Sequence, residues 1–367
     1  MEQNKIIQLQ GLRGFAIIGI FIFHTQTFLY DPSGTIWNLI IDQLGTIGVI
    51  VFFMLSGFLL VYKKKVVPKL NWKDRIKVCR SKFNKMYFLY ILTMILAFLG
   101  KLPQSTYDYI YSVISLPLNL TYTQDLIPLV NINISYNGPA WFISAMFIIW
   151  IIVYSIPSLI NKVWSLDLKS CLLGIFFIII IQVIYKFFES KFPVHLIPIN
   201  HHDIYMSWIS YYSPFYNFGF FILGGFIGRI TLLNQTESIK NVYLLFMCVM
   251  LFLIVCLLYD FVFFNNIKAM LYESVICMTL LLIMSPNSFL RIICSLRPLV
   301  WFGNISASMF LIHGAVNYNL RYLETYISKP WLFFVSLLLT VILSILSEKY
   351  LILKKNENVL QRIRKIA

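Results

Sequence analysis

From about residue 10 onward the chain alternates long apolar stretches with short intervals of polar, aromatic and basic residues. The apolar stretches fall at about 10–29, 45–62, 86–100, 139–160, 170–187, 212–229, 241–259, 269–285, 299–316 and 331–350. A helix needs about 20 residues to cross the ~30 Å hydrocarbon core of a bilayer, and most of these stretches approach or meet that length. None shows the period-2 alternation of a barrel strand. Backbone polar groups in lipid must be satisfied within the segment, so the pattern predicts helices. The expected architecture is an all-α polytopic membrane protein with about ten transmembrane helices. A single transmembrane domain is expected over 1–367, with a helical core at about 8–350 and a basic cytoplasmic tail at 351–367, and without an appended extracytoplasmic domain. Lys5 and Arg13 precede the first apolar run as in a secretory signal, but Phe28, Leu29, Tyr30 and Asp31 offer no small-residue cleavage pattern. The first run is therefore expected to remain as a helix.

Composition sharpens the class. Of 367 residues 59% are hydrophobic and 12% charged, against roughly 45–50% and 25% in soluble domains. The net charge of +15 does not mark a nucleic-acid binder, because the basic residues lie between apolar runs rather than on one soluble patch. With the N-terminus inside, cytoplasmic segments hold 23 Lys and Arg, outer segments hold six (Lys101, Lys186, Lys191, Lys268, Arg321, Lys329), and Arg13 completes the 30. That imbalance predicts an N-in, C-in chain. The six cysteines (79, 171, 248, 256, 277, 294) show no C-x-x-C spacing and are read as buried small hydrophobes. Outer segments at about 101–138 and 188–211, rich in Tyr, Asn, Pro, Ser and Thr, suit either the wall of a polar acceptor site or interfacial anchoring. His201, His202 and Asp203, with His195 nearby, are metal-ligand types without helical spacing, and no metal is expected.

"QGLRGFAIIGIFIFH", residues 10–24, carries the first chemistry. Arg13 and His24 are eleven residues apart, which on a 3.6-residue helix brings them within about 20° of one face, separated by roughly 16 Å. Gly11, Gly14 and Gly19 thin the same helix for close packing. Arg13 either snorkels to headgroups or holds a phosphate or carboxylate. His24, facing the bundle, has no such escape, and intramembrane ionisable residues usually mark sites. Ser56 and Gly57 interrupt the second run, where close packing and a hydrogen bond to a neighbouring helix are the simpler roles. Ser306, His313 and Asn317 share one face of the ninth run by i, i+7, i+11 spacing, as a polar seam or the wall of a polar cavity in which His313 would orient or deprotonate an acceptor hydroxyl.

In chain order, "GLRGFAIIGIFIFH", the FF-x-x-SGF of 52–58, the basic approach to the third helix, "WFISAMF" at 141–147 and "WFGNISASMFLIH" at 301–313 together resemble the integral-membrane acyltransferase-3 family, of the cell-surface glycan O-acetyltransferase type, over roughly residues 8–350. The resemblance implies transfer of an acyl group, usually acetyl from cytoplasmic acetyl-CoA, to carbohydrate outside or across the membrane. Arg13 and His24 would be the essential pair, with Arg13 toward the donor and His24 acting as base or transient acyl acceptor. The gap between them implies that the donor's arm reaches inward or that the acyl group is relayed. The family's R-x-x-R, proline and tyrosine before the third helix are represented by Lys82, Lys85 and Tyr90, with Arg80 close by and no proline. Arg80, Lys82 and Lys85 are the expected donor contacts, although a cytoplasmic loop attracted to anionic headgroups accounts for most of the charge at Lys63–Lys85. Many relatives carry a glutamate after the fourth-helix tryptophan, where this chain has Ala145 and Met146. Any mechanism needing that carboxylate is weakened, while Trp141 and Ser144 remain as substrate or structural support, Trp141 being equally suited to anchor at the membrane interface.

These readings make the expected partners acetyl-CoA, a surface polysaccharide or lipid-linked oligosaccharide, the lipid bilayer and polysaccharide-assembly proteins, with no permanently bound cofactor and no nucleic acid. The expected location is the bacterial plasma membrane, multi-pass. The alternatives are an exporter or flippase of a glycan or lipid-linked sugar on the same shell, and an assembly subunit with an inactive core. Phe- and Ile-rich helices would also tolerate an acyl group longer than acetyl.

Overall fold

A computed structural model describes residues 6–29, 36–102, 107–191, 208–234 and 267–364. The described elements are all helical. The main ones are α1 (Ile7–Leu29), α2 (Ile36–Tyr62), α3 (Trp72–Lys101), α4 (Tyr107–Leu120), α5 (Trp141–Ser155), α6 (Leu168–Lys191), α7 (Pro214–Asn234), α8 (Ile267–Met284), α9 (Arg297–Leu320) and α10 (Lys329–Arg364). Among the described residues, eight helices are long and apolar enough to cross a membrane: α1, α2, α3, α5, α6, α7, α9 and α10. The expected span at 241–259 lies outside the described residues, as do Cys248, Cys256 and the cluster of His195, His201, His202 and Asp203.

Glycines set the helix spacing and reveal relative directions. A Cβ on Gly11 would meet the Cys294 carbonyl, one on Gly14 the Leu299 carbonyl, and one on Gly303 the Gln10 carbonyl. The first half of α1 therefore runs beside the first half of α9, parallel to it and with backbones touching, which only a residue without a side chain permits. Gly48 faces Ala16 and Ile20 while Gly45 faces Phe23, so α2 runs antiparallel to α1. Gly57, Gly224 and Gly228 bring α2 and α7 together in parallel. These contacts define two ends of the bundle: an Arg13 end, holding Tyr62, Trp72 and Arg297, and a His24 end, holding Lys101, Trp141 and Tyr318.

Several boundaries depart from the hydropathy pattern for local reasons. The basic stretch before the third apolar run is largely helix rather than loop, because Asn71 caps α3 by accepting the Asp74 amide at 2.9 Å. The 139–160 run is interrupted at Ile156, whose φ −121° and ψ 48° are non-helical, as expected of a residue before proline. The 331–350 run continues to Arg364, so much of the expected tail is helix.

The largest departure is the segment expected as an outer loop. Lys101 Nζ donates to the Ile134 carbonyl at 2.7 Å, and the Tyr136 hydroxyl donates to the Ser112 carbonyl at 2.8 Å, so both arms lie near the His24 end. Tyr90 Oη donates to the Asn119 carbonyl at 3.1 Å, and the Tyr122 ring packs 5.8 Å from Phe83 and 5.6 Å from Phe147. Phe83 and Lys101 are 18 residues apart on α3, roughly 27 Å along a helix. Residues 107–137 thus form a re-entrant hairpin that descends as α4, turns near Tyr122 and returns. Non-helical backbone at membrane depth is tolerated only where protein buries it or a polar cavity takes it. The turn is a Schellman closure, in which the Thr123 amide donates to Leu118 and the Tyr122 amide to Asn119, with Tyr122 at φ 59° where glycine is usual. A left-handed tyrosine is unfavourable by about 1–2 kcal/mol, offset here by the rings of Phe83, Tyr87, Tyr90 and Phe147 around it.

Candidate active site

α1 turns Arg13 and His24 inward, while Ile7 and Phe15 face outward. Arg13 lies half-buried with its guanidinium carbon 5.9 Å from the centre of the Phe52 ring on α2. Its electrostatic partner is Glu348 of α10, whose Oε1 accepts from the buried Ser308 hydroxyl of α9 at 2.6 Å. A half-buried guanidinium over an aromatic ring, within electrostatic reach of a carboxylate, is directed toward neighbouring helices.

His24 meets His313 of α9, with ring centroids 5.0 Å apart. The two differ in exposure: His24 is half-buried and His313 is fully buried. His313 Nδ1 lies 3.0 Å from the Met309 carbonyl. A carbonyl can only accept, so Nδ1 carries the proton and Nε2 of the neutral ring keeps a lone pair. That Nε2 is buried and has no hydrogen-bond partner. Asn317 fixes the pair by donating to the His24 carbonyl at 3.2 Å and accepting from the Ser336 hydroxyl at 2.5 Å, which ties α1 to α9 and α10.

Between Arg13 and the histidines stand two rings: Phe52 is 6.1 Å from Phe310, and Phe310 is 5.9 Å from His313. The separation implied by the eleven-residue spacing is thus real and apolar-walled. A group held by Arg13 does not touch His24 unless it spans that wall.

Other expected residues are placed differently. Ser306 donates to the Gly303 carbonyl of its own helix at 2.8 Å, so it does not reach the histidines. Ser56 likewise donates to its own helix, to Phe52, rather than to a neighbour. Gly57 is the contact point with α7, against Phe221. Arg80 and Lys85 are exposed on the Arg13 half of α3, and Lys82 Nζ sits 3.8 Å above the Trp150 ring. Trp141 is buried, with Tyr211 and Tyr212 each at 5.0 Å, and is therefore not an interface anchor. Ser144 accepts the Asp125 amide at 3.1 Å. Among the described residues no group of His, Cys, Asp and Glu is arranged to hold a metal. The described cysteines (79, 171, 277, 294) are free and buried.

Glu348 and Asp125 escaped the sequence reading. Glu348 was findable as an acid within one turn of the end of an apolar run, the kind of residue that marks a site by default. Asp125 carried no such signal, since it stands in a polar interval whose fold into the protein is not visible in hydropathy.

A family model described as an acyltransferase domain matches residues 6–349. The acyltransferase MdmB of Streptomyces mycarofaciens is 29% identical over 194 residues, covering 52% of this chain and 48% of that protein. The match thus spans about half the length of this relative. No solved structure matches the chain.

Proposed function

Because the chain belongs to the acyltransferase-3 family of membrane acyltransferases, we propose that it moves an acetyl group from acetyl-CoA, presented at the Arg13 end, to a hydroxyl of a surface or exported polysaccharide or its lipid-linked precursor at the His24 end. The observation that carries the proposal is the histidine pair, with His313 Nε2 left as a lone-pair acceptor beside the ring of His24, the less buried residue of the two. In this reading the two histidines differ in role. His24 is the catalytic base, because it alone of the pair is accessible. His313, anchored through Nδ1, is the positioning residue whose Nε2 accepts a hydrogen bond from one nitrogen of His24 and so leaves the other free for substrate.

The step then balances. The acceptor hydroxyl gives its proton to His24, its oxygen attacks the thioester carbonyl, the carbon–sulfur bond breaks, and the imidazolium returns the proton to the leaving thiolate. General base catalysis of this kind contributes roughly 10²- to 10⁴-fold. Arg13 orients the donor by charge, and the apolar rings of Phe52 and Phe310 between it and the histidines suit contact with an uncharged chain such as a pantetheine arm. Arg80 and Lys85 offer exposed positive charge to the donor's phosphates. The excess of Lys and Arg between the spans at the Arg13 end supports placing that end in the cytoplasm.

The test replaces His24 by Ala at matched protein level and measures O-acetyl esters on the surface glycan. Loss of ester with glycan export intact is expected. A fully acetylated glycan would overturn the proposal, and loss of export with ester per repeat unchanged would instead indicate an exporter.

A further inference from the structure

Behind the histidine pair the bundle has a slot that its own side chains do not fill. α3 and α10 both pack on α9, and between them lies an opening of about 410 Å³ walled by Leu92, Leu96, Ile312, Val316, Leu339 and Leu343. Packed helices normally leave few voids larger than a water molecule, whereas this volume falls in the range of ligand pockets, roughly 300–1,000 Å³. Leu92, Leu96, Leu339 and Leu343 are exposed, so in a membrane the slot opens sideways onto lipid.

The wall is apolar by arrangement as well as by composition. Thr93 and Asn319 line the slot, but the Thr93 hydroxyl donates to the Tyr90 carbonyl at 3.0 Å, and Asn319 Nδ2 donates to the carbonyls of Leu96 and Ala315 at 2.9 and 2.8 Å. At the inner end the rings of Phe88 and Tyr350 meet across the slot, with centroids 6.0 Å apart. Leu339 and Tyr350 are eleven residues apart, which is about 16 Å along a helix, or roughly half of the ~30 Å hydrocarbon core. The outer end reaches Leu320, the last residue of α9, at the His24 end.

Two features join the slot to the site. Its floor, Ile312 and Val316, belongs to the stretch of α9 that carries His313, and Asn317 of that stretch donates to the His24 carbonyl at 3.2 Å. At its mouth Arg321 follows Leu320, with its guanidinium carbon 5.6 Å from the centre of the Tyr318 ring, and Lys101 Nζ lies 4.6 Å from the same ring. Arg321 also acts electrostatically on His24, so it belongs to both neighbourhoods. An apolar slot of one-leaflet depth that ends among cations matches a long apolar chain with an anionic phosphate at its head.

We propose that this slot seats the apolar chain of the acceptor, which is then a sugar joined through phosphate to a membrane-anchored chain rather than free polysaccharide. The proposal rests on the glycan-acceptor reading above. A chain that leaves the bilayer for the slot gains no hydrophobic transfer, because lipid is as apolar as leucine. What the slot supplies is placement: it fixes where the anchor stands and so presents the attached sugar to His24.

The experiment has a binding arm and a transfer arm, both with the full chain in phosphatidylglycerol vesicles. In the first, a farnesyl phosphate bearing a diazirine is photolysed with the protein and the labelled peptides are mapped. Labelling of α3 and α10 at the slot is expected, suppressed by excess plain farnesyl phosphate and by Leu92→Trp with Leu343→Trp, which fill the slot from its exposed walls. Leu338→Trp, on an exposed face of α10 outside the slot, keeps the labelling. Labelling that plain farnesyl phosphate leaves unchanged means that ordinary bilayer lipid occupies the slot and overturns the proposal, and this comparison needs only the parent. In the second arm the acceptor is a de-esterified oligosaccharide from the source cell's surface polysaccharide, either free or coupled through phosphate to farnesol. The parent prefers the coupled form by at least about tenfold in kcat/KM, the size of discrimination that a shaped apolar pocket provides, and the paired tryptophans remove the preference. Equal use of both acceptors sinks the slot alone, whereas competed labelling without transfer to either acceptor sinks the enzymatic reading alone.

Discussion

Gly14→Ala tests whether the α1–α9 seam sets the histidine geometry. A Cβ at Gly14 would lie 2.8 Å from the Leu299 carbonyl carbon and 3.0 Å from the Gly303 amide nitrogen, with the Leu299 carbonyl oxygen nearer still. Ordinary contact begins at 3.4 Å, so the two backbones must part by on the order of 1 Å. The obstacle is backbone on α9, which cannot rotate away as a side chain would. Overpacking of this kind destabilises by about 1–3 kcal/mol. The same displacement reaches His313, which α9 carries, and a misplacement of about 1 Å at a catalytic group can lower the rate about 10²-fold. The assay pairs thermal unfolding in detergent with the rate of acetyl transfer, and uses Phe15→Ala as a control because Phe15 is 54% exposed on the outer face of the same helix. Gly14→Ala is expected to lose both stability and rate while Phe15→Ala keeps both. An alanine variant with the parent's midpoint and rate would refute the claim that this seam holds the site.

Other expectations follow from particular contacts. His313→Asn removes the lone pair facing His24 and should lower kcat by about 10- to 100-fold, as removal of an orienting partner does, and adding it to His24→Ala should lower the rate little further; multiplicative losses would contradict the paired roles. Glu348→Gln keeps an acceptor for Ser308 but removes the charge opposing Arg13, so a double-mutant cycle of transition-state or folding free energies with Arg13→Gln should show coupling of at least about 0.5 kcal/mol; additivity would show that the two act independently. Replacing Arg80 and Lys85 together by Glu should raise the KM for acetyl-CoA with kcat within a few-fold, and an unchanged KM would remove them from the donor path.

What hydropathy shows well is the membrane-crossing helices, because lipid imposes a length and an apolar composition on each. Spacing also placed Arg13 and His24 on one face, and the seam of α1 on α9 confirms that both point inward. The pairing of His24 with His313 required the parallel packing of helices about 290 residues apart in sequence, which no local period encodes. The re-entrant hairpin was hidden for a different reason. Residues 107–137 are too polar and too interrupted to read as a span, and their descent depends on tertiary partners such as Tyr90, Phe147 and Ser144. Hence Asp125 near Ala145, like Glu348 opposite Arg13, is a carboxylate supplied from elsewhere in the chain. The absence of an acid at Ala145 and Met146 therefore does not deprive this face of α5 of one.

The most direct measurement is single-turnover acetyl transfer from labelled acetyl-CoA to de-esterified glycan by the purified full chain in lipid vesicles, parent against His24→Ala. The account predicts a loss of at least about 100-fold in the variant, with its thermal midpoint preserved. Transfer by His24→Ala at the parent's rate would contradict the claim that this histidine carries the reaction.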